Sequence, residues 1–179
     1  MTTEPASTTK LDETDLPDLP WSRVTERLET GITQAPDTGG PNRHTAWLAT
    51  TGPDGAPDVR PVGAMWVDGA FYFTSGERAR KAKNVASTPA ASISIATQEF
   101  DVTVDGQVRR VTDLPTLEKL RNVYAPDWPA EVDPEARAFT APFNAPSAGP
   151  PPWNLYVLEP TRAYANTIIE GYGWTRFDF

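Results

Sequence analysis

Three Asp-Gly pairs, Asp54-Gly55, Asp68-Gly69 and Asp105-Gly106, stand between short β-patterned runs, and they constrain this chain more than any other feature. A two-residue Asp-Gly link suits the tight turns whose twist matches that of paired antiparallel strands. The runs around them alternate or are rich in aromatic and β-branched residues: "HTAWLATTG", "DVRPVGAMWV", "AFYFTS", "ASISIAT" and "FDVTVDGQVRRVTD". The last is read as a hairpin about Asp105-Gly106. "WNLYVLEPTRAYANTI" returns to the strand pattern near the C-terminus. Several short strands with tight turns and few helices indicate an antiparallel barrel or sandwich.

Three segments carry helical spacing. In "WSRVTERLETG", Trp21, Val24 and Leu28 recur on one side and Gly31 is a C-terminal stop. "ERARKAKNVAS" is a short helix, and "LPTLEKLRNVYA" is another, capped by Asp113 or Thr112 with Pro115 in its first turn. Residues 32–42 read as a loop. Residues 1 to about 20 are polar, Thr-rich and acidic, and read as a flexible arm before a single domain spanning 21–179. The Pro- and Ala-rich stretch at about 126–152 reads as an ordered flap, because it carries Trp128, Phe139 and Phe143. Four aromatics in the last eight residues predict a tail that is tied down.

Composition narrows the chemistry. The chain of 179 residues has a formal net charge of -8, no Cys and a single His, His44. An acidic surface disfavours nucleic acid and anionic membranes, since both need cations to displace counterions. Without Cys there is no disulfide or thiolate chemistry, and one His removes most zinc and triad arrangements. No apolar run approaches the roughly 20 residues of a membrane span, and the N-terminus lacks a signal-peptide pattern. A cytoplasmic protein is expected.

Against that acidic background, Arg78, Arg80, Lys81 and Lys83 crowd one helix. At about 100° per residue, Ala79, Ala82, Val85 and Ala86 share a packing side, while Arg80 and Asn84 lie opposite with the lysines flanking. Arg80 and Lys81 stand near the helix start, where free N–H groups also attract anions. A solvated charged face and a specific anion site both fit these residue types. Arg60 faces away from Val59 and Pro61 on its strand, free to hold a ligand or pair with a carboxylate. Arg109 and Arg110 alternate in facing, which argues against one shared anion site.

The ordered set "WLAT", "PDGAPDVRPV", "WVDGAFYFTSG" and "RKAKN", followed by "FDVTVDGQVRRVTD", "APSAGPPPWNLYVLEPTRAYA" and the terminal "TRFDF", resembles the pyridoxamine-phosphate-oxidase-like family of flavin-binding split barrels over about residues 21–179. The resemblance implies a mainly β, antiparallel split β-barrel of Greek-key type with a few short helices. It implies FMN or the deazaflavin coenzyme F-420 bound at the interface of a homodimer, and hydride transfer to or from a small-molecule substrate. It carries the cofactor phosphate to Arg80 and Lys81, the flavin-lining strand to Arg60, Pro61, Val62 and Gly63, and the phosphate and ribityl neighbourhood to Phe73, Thr74 and Ser75, with Asn84 one helical turn on. Trp153, Trp174 and Arg176 become the candidate substrate wall. No catalytic residue or metal site is assigned. The basic and C-terminal residues that would hold pyridoxamine phosphate are not found. A cofactor- or ligand-binding protein without turnover, holding flavin or haem on the same fold, is the alternative reading.

Overall fold

The computed structural model describes residues 3–30, 45–97, 99–126, 128–145, 149–168 and 171–179. His44, Gly31 and the loop read at 32–42 lie outside the described residues. Strands β2 (Thr45–Thr51), β3 (Pro57–Val67) and β4 (Ala70–Gly76) run as an antiparallel meander. The chain then crosses through α2 (Arg80–Ser87) to β5 (Ala90–Ala96), which pairs with β2, so the spatial order is that of a Greek key. β6 (Phe100–Val111) follows, and β9 (Trp153–Thr167) pairs with both β6 and β4, closing a six-stranded ring of β2, β3, β4, β9, β6 and β5. All these pairings are antiparallel, the expected architecture.

Two of the three Asp-Gly pairs behave as turn chemistry dictates. Asp68 and Gly69 both take positive φ, 52° and 83°, between β3 and β4, as a two-residue hairpin link requires. Gly55 takes φ 79° in the turn between β2 and β3. The third reading is corrected: Asp105-Gly106 is no hairpin tip but a register irregularity inside the continuous strand β6. A Cβ on Gly106 would lie 2.1 Å from the carbonyl oxygen of Glu159 on β9. Glycine is there for close approach of two backbones, and the strand runs on through it.

Alternation along the strands fills the barrel with Leu48, Ala64, Phe71, Phe73, Ile93, Val102, Val104 and Leu158, all buried. Helix α1 (Trp21–Glu29) and helix α2 contact opposite ends of β3: Trp21 packs on Trp66, 6.0 Å between ring centroids, while α2 reaches Asp58. α1 buries Trp21, Val24, Thr25 and Leu28, the helical spacing read from sequence. A second apolar cluster lies outside the barrel, beneath α3 (Leu114–Tyr124) and the hairpin of β7 (Glu131–Asp133) and β8 (Ala138–Thr140). Asp113 caps α3 by accepting from the Thr116 N–H at 3.0 Å. Tyr124 donates from the same helix to the carbonyl of Tyr72 at 2.8 Å.

The flexible-arm reading of residues 1–20 is not met at Ser7–Lys10. They form β1, paired with β10 (Thr175–Asp178) in register Ser7↔Asp178 through Lys10↔Thr175. Ser and Thr in sequence carry no burial signal; the unpaired edge of β10 supplies the partner. β10 pairs in turn with β9, which ties down the aromatic tail. In the flap, Trp128 and Phe139 pack against each other and against Tyr124. Among the described residues, no helix is long and apolar enough to cross a membrane.

Candidate functional site

The turn after β2 returns the chain at Pro57 and places Asp58 under α2, only 7% exposed. Burying a carboxylate demands partners, and Asp58 has three. Arg60, two residues on and on the same strand face, pairs with it at 2.8 Å. Arg80, at the start of α2, approaches it at 3.7 Å, and the carboxamide Nδ2 of Asn84, one turn on, donates to it at 3.3 Å. That same nitrogen lies 3.0 Å from Thr50 Oγ1, whose hydroxyl donates to the Asp58 carbonyl at 3.3 Å. The last residues of β2, the first of β3 and the first turn of α2 are thereby locked together.

Lys81 completes the cluster. It is half-buried and, among the described residues, makes no hydrogen bond or ion pair. Burial pushes its ammonium below the ordinary lysine value, the neighbouring Arg60 charge pushes it the same way, and Asp58 opposes both. Three cations thus surround one carboxylate. Two of them, Arg60 and Arg80, keep more than half of their side-chain surface exposed, at 52% and 64%. An anion placed here would relieve the repulsion on Lys81 and gain charge-assisted hydrogen bonds from two guanidinium groups.

Beside the cluster, the outer face of β2 and β3 is apolar and open. Trp47 and Val59 are each 47% exposed, and Pro61 lies directly opposite Trp47 in the register with Gly63 next along the face.

The candidate residues divide accordingly. Arg60, Pro61, Gly63, Arg80 and Lys81 are accessible in one region. Thr74 is half-buried on β4, paired in register with Leu155. Several others have side chains buried within this chain. Val62 turns into the barrel, 8% exposed. Phe73 is fully buried and stacks on Tyr156 with centroids 5.3 Å apart. Ser75 is fully buried, its hydroxyl donating to the Gly76 carbonyl at 3.3 Å. Asn84, placed by helical phase on the open side, is 1% exposed, because Asp58 and Thr50 draw its amide inward. Trp153 is fully buried against Trp128 and Phe143, a core position.

Trp174 is 52% exposed. Arg176 is held by Asp178 at 2.9 Å and Thr9 at 3.4 Å. Both belong to the β10 end of the barrel, where Phe177 packs on Trp21 of α1. Within one chain that end is remote from α2. Sequence reasoning missed Asp58 and Thr50. The signal for Asp58 was its i, i+2 spacing from Arg60, which puts acid and base on one strand face.

The sequence profile of the pyridoxamine 5'-phosphate oxidase family matches residues 33–166. The chain belongs to that family, and its fold is the family's split barrel. No curated protein sequence matches it significantly. Among solved structures it is similar to a conserved hypothetical protein of Mycobacterium tuberculosis, with a TM-score of 0.58 at 14% identity over 87% of this chain and 89% of that one. It is similar to a NimC/NimA family protein of Clostridium acetobutylicum, with a TM-score of 0.56 at 16% identity over 88% and 91%. It is also similar to a haem-binding protein of Mycobacterium smegmatis, with a TM-score of 0.50 at 20% identity over 75% of this chain and 52% of that one. At these identities the likeness is one of fold.

Proposed function

We propose that this chain is an oxidoreductase that binds FMN or the deazaflavin coenzyme F-420 and moves a hydride between that cofactor and a small organic substrate, working as a homodimer. The observation that carries the reading is Lys81, a half-buried ammonium, unpaired among the described residues, set beside Arg60 and Arg80 at the edge of an open apolar sheet face. Arg60, Arg80 and Lys81 would hold the cofactor's phosphate, and Val59, Pro61 and Gly63 would offer the apolar surface for its ring. Asp58 and Asn84 do not touch the cofactor in this reading; they fix the two arginines and the first turn of α2. The ring supplies the electron chemistry, and the protein supplies position and a water-poor surface, so no acid–base triad is needed.

The dimer rests on the same face. Two large apolar side chains half-exposed on adjacent strands are the centre of a protein contact, and a second copy covering them also covers the ring. Trp174 and Arg176, remote from the cluster in their own chain, are then the groups a second copy has to offer as a substrate wall.

The first test is the visible spectrum of the purified protein, with mass analysis of what denaturation releases, then titration of FMN and F-420 into any colourless fraction. Arg80→Ala with Lys81→Ala is expected to abolish cofactor binding with far-ultraviolet circular dichroism unchanged; equal affinity in that variant removes the phosphate assignment. Reduction of the bound cofactor by NAD(P)H or a reduced deazaflavin, followed by reoxidation by a substrate, separates the oxidoreductase from a carrier that binds without turnover. A haem spectrum instead of a flavin one overturns the cofactor class.

A further inference from the structure

The opposite flank of α2 forms a second, separate concavity. It encloses about 560 Å³ between α2, the end of β6 and the start of β9, within the size range of small-molecule sites. None of Thr50, Asp58, Arg60, Arg80, Lys81 or Asn84 lines it. Its apolar wall is Ala82, Val85 and Ala86 from the helix, with Val108 and the ring of Tyr156 from the sheet. Its rim carries four cations, Arg78, Lys83, Arg109 and Arg110, against one carboxylate, Glu77.

That charge balance opposes the net charge of -8 on the whole chain. Arg109 is paired with Glu159 at 2.7 Å, and Arg110 donates to the carbonyl of Ala136 at 2.9 Å. Arg78 and Lys83 make no hydrogen bond or ion pair among the described residues. Arg109 and Arg110 have separate partners, in keeping with their alternating phase, although both residues line the opening.

An independent observation lies in the wall itself. Asn154 is a polar residue only 5% exposed, and among the described residues its carboxamide makes one hydrogen bond, from Nδ2 to the Tyr156 hydroxyl at 3.5 Å, the outer limit of such a bond. Its Oδ1 is not among the fully buried unpartnered atoms, so it stays open to a donor from water or from a ligand in the groove. It lines the same groove.

We infer that this groove is a second ligand site, distinct from the cofactor cradle, for a small organic anion: an apolar body that packs on Ala82, Val85 and Val108, ending in a phosphate or carboxylate held by Arg78 and Lys83. Asn154 hydrogen-bonds the polar atoms of that body. One element thereby serves two sites, because the residues facing the cradle and those facing the groove alternate along α2.

The test uses the full chain, isotopically labelled, with phenyl phosphate and 3-phenylpropionate as probes and inorganic phosphate as the half-probe. The expected result is shifts in the backbone amide signals of Val85, Ala86, Val108 and Asn154 with at least one aromatic probe, at an affinity above that of inorganic phosphate. Arg78→Gln with Lys83→Gln, both exposed, should weaken that binding about tenfold, the scale of removing charge-assisted contacts. Arg80→Ala with Lys81→Ala should leave it unchanged. Shifts confined to residues 58–63 and the first turn of α2, equal affinity in the Arg78/Lys83 variant, or equal affinity for inorganic phosphate overturn the inference. So does binding of neither aromatic probe.

Discussion

Replacing Asn84 by Ala separates two roles that sequence and structure give this residue. In the fold its carboxamide bridges Thr50 Oγ1 at 3.0 Å and the Asp58 carboxylate at 3.3 Å, in a site 1% exposed. The variant loses one neutral hydrogen bond, about 1 kcal/mol, and one to a charged acceptor, about 2 kcal/mol. Thr50 keeps its bond to the Asp58 carbonyl, and Asp58 keeps Arg60, so no group is left wholly unpartnered. The net loss is about 3 kcal/mol, which for a chain of this length lowers the melting temperature by roughly 6 to 12 °C. Thr50→Val alone should cost about 1 kcal/mol, and the double variant less than the sum, because the two share a bond. The assay is thermal unfolding of the cofactor-free protein, followed by chemical denaturation. A melting temperature within about 1 °C of the parent, with only cofactor affinity reduced, would refute the positioning role and restore Asn84 as a direct ligand.

Gly106→Ala should be worse, since its new methyl meets the Glu159 carbonyl oxygen at 2.1 Å and the β6–β9 pair must part; a loss of about 3 kcal/mol or more is expected by urea titration. Tyr124→Phe removes the hydrogen bond from its phenol to the Tyr72 carbonyl and should cost about 1 kcal/mol in the same assay. Affinity for a phosphate-bearing cofactor should fall with rising pH before the ordinary lysine value of 10.5 is reached, because the Lys81 ammonium that holds the anion is the form its surroundings disfavour. Lys81→Arg should remove that fall, as arginine keeps its charge. The same depression makes the unfolded chain bind this proton more tightly than the folded one. The contribution of Lys81 to stability therefore rises with pH between its lowered value and 10.5.

The legible parts of this fold are those whose causes are local. Asp68-Gly69 is a turn because both residues accept positive φ, and α3 starts at Asp113 because a carboxylate caps it. Asp105-Gly106 has the same letters and another cause, the backbone of Glu159 half a barrel away in sequence, which no window around residue 106 reveals. Helical phase put Asn84 outside, yet partners 26 and 34 residues earlier hold it inside. That Arg60, Arg80 and Lys81 lie together was legible through their residue types and the family pattern. The buried acid beside them, Asp58, was marked only by its i, i+2 spacing from Arg60, a signal that does not tell a solvated carboxylate from one that three side chains surround. Trp153 and Phe73 show the converse: aromatics near a site in sequence that the sheet turns inward.

β9 has a consequence for how this protein is made. One strand of fifteen residues completes the barrel wall between β4 and β6, holds β10, and touches β8. On the ribosome, everything from β2 to β6 emerges before any part of that strand does. The nascent chain therefore carries an open, curved sheet with two unsatisfied edges and an uncovered interior of Phe71, Ile93 and Val104 throughout the synthesis of residues 112–167. Such edges invite pairing with other chains. Codon choice and chaperone supply over that interval therefore bear on the yield of soluble protein.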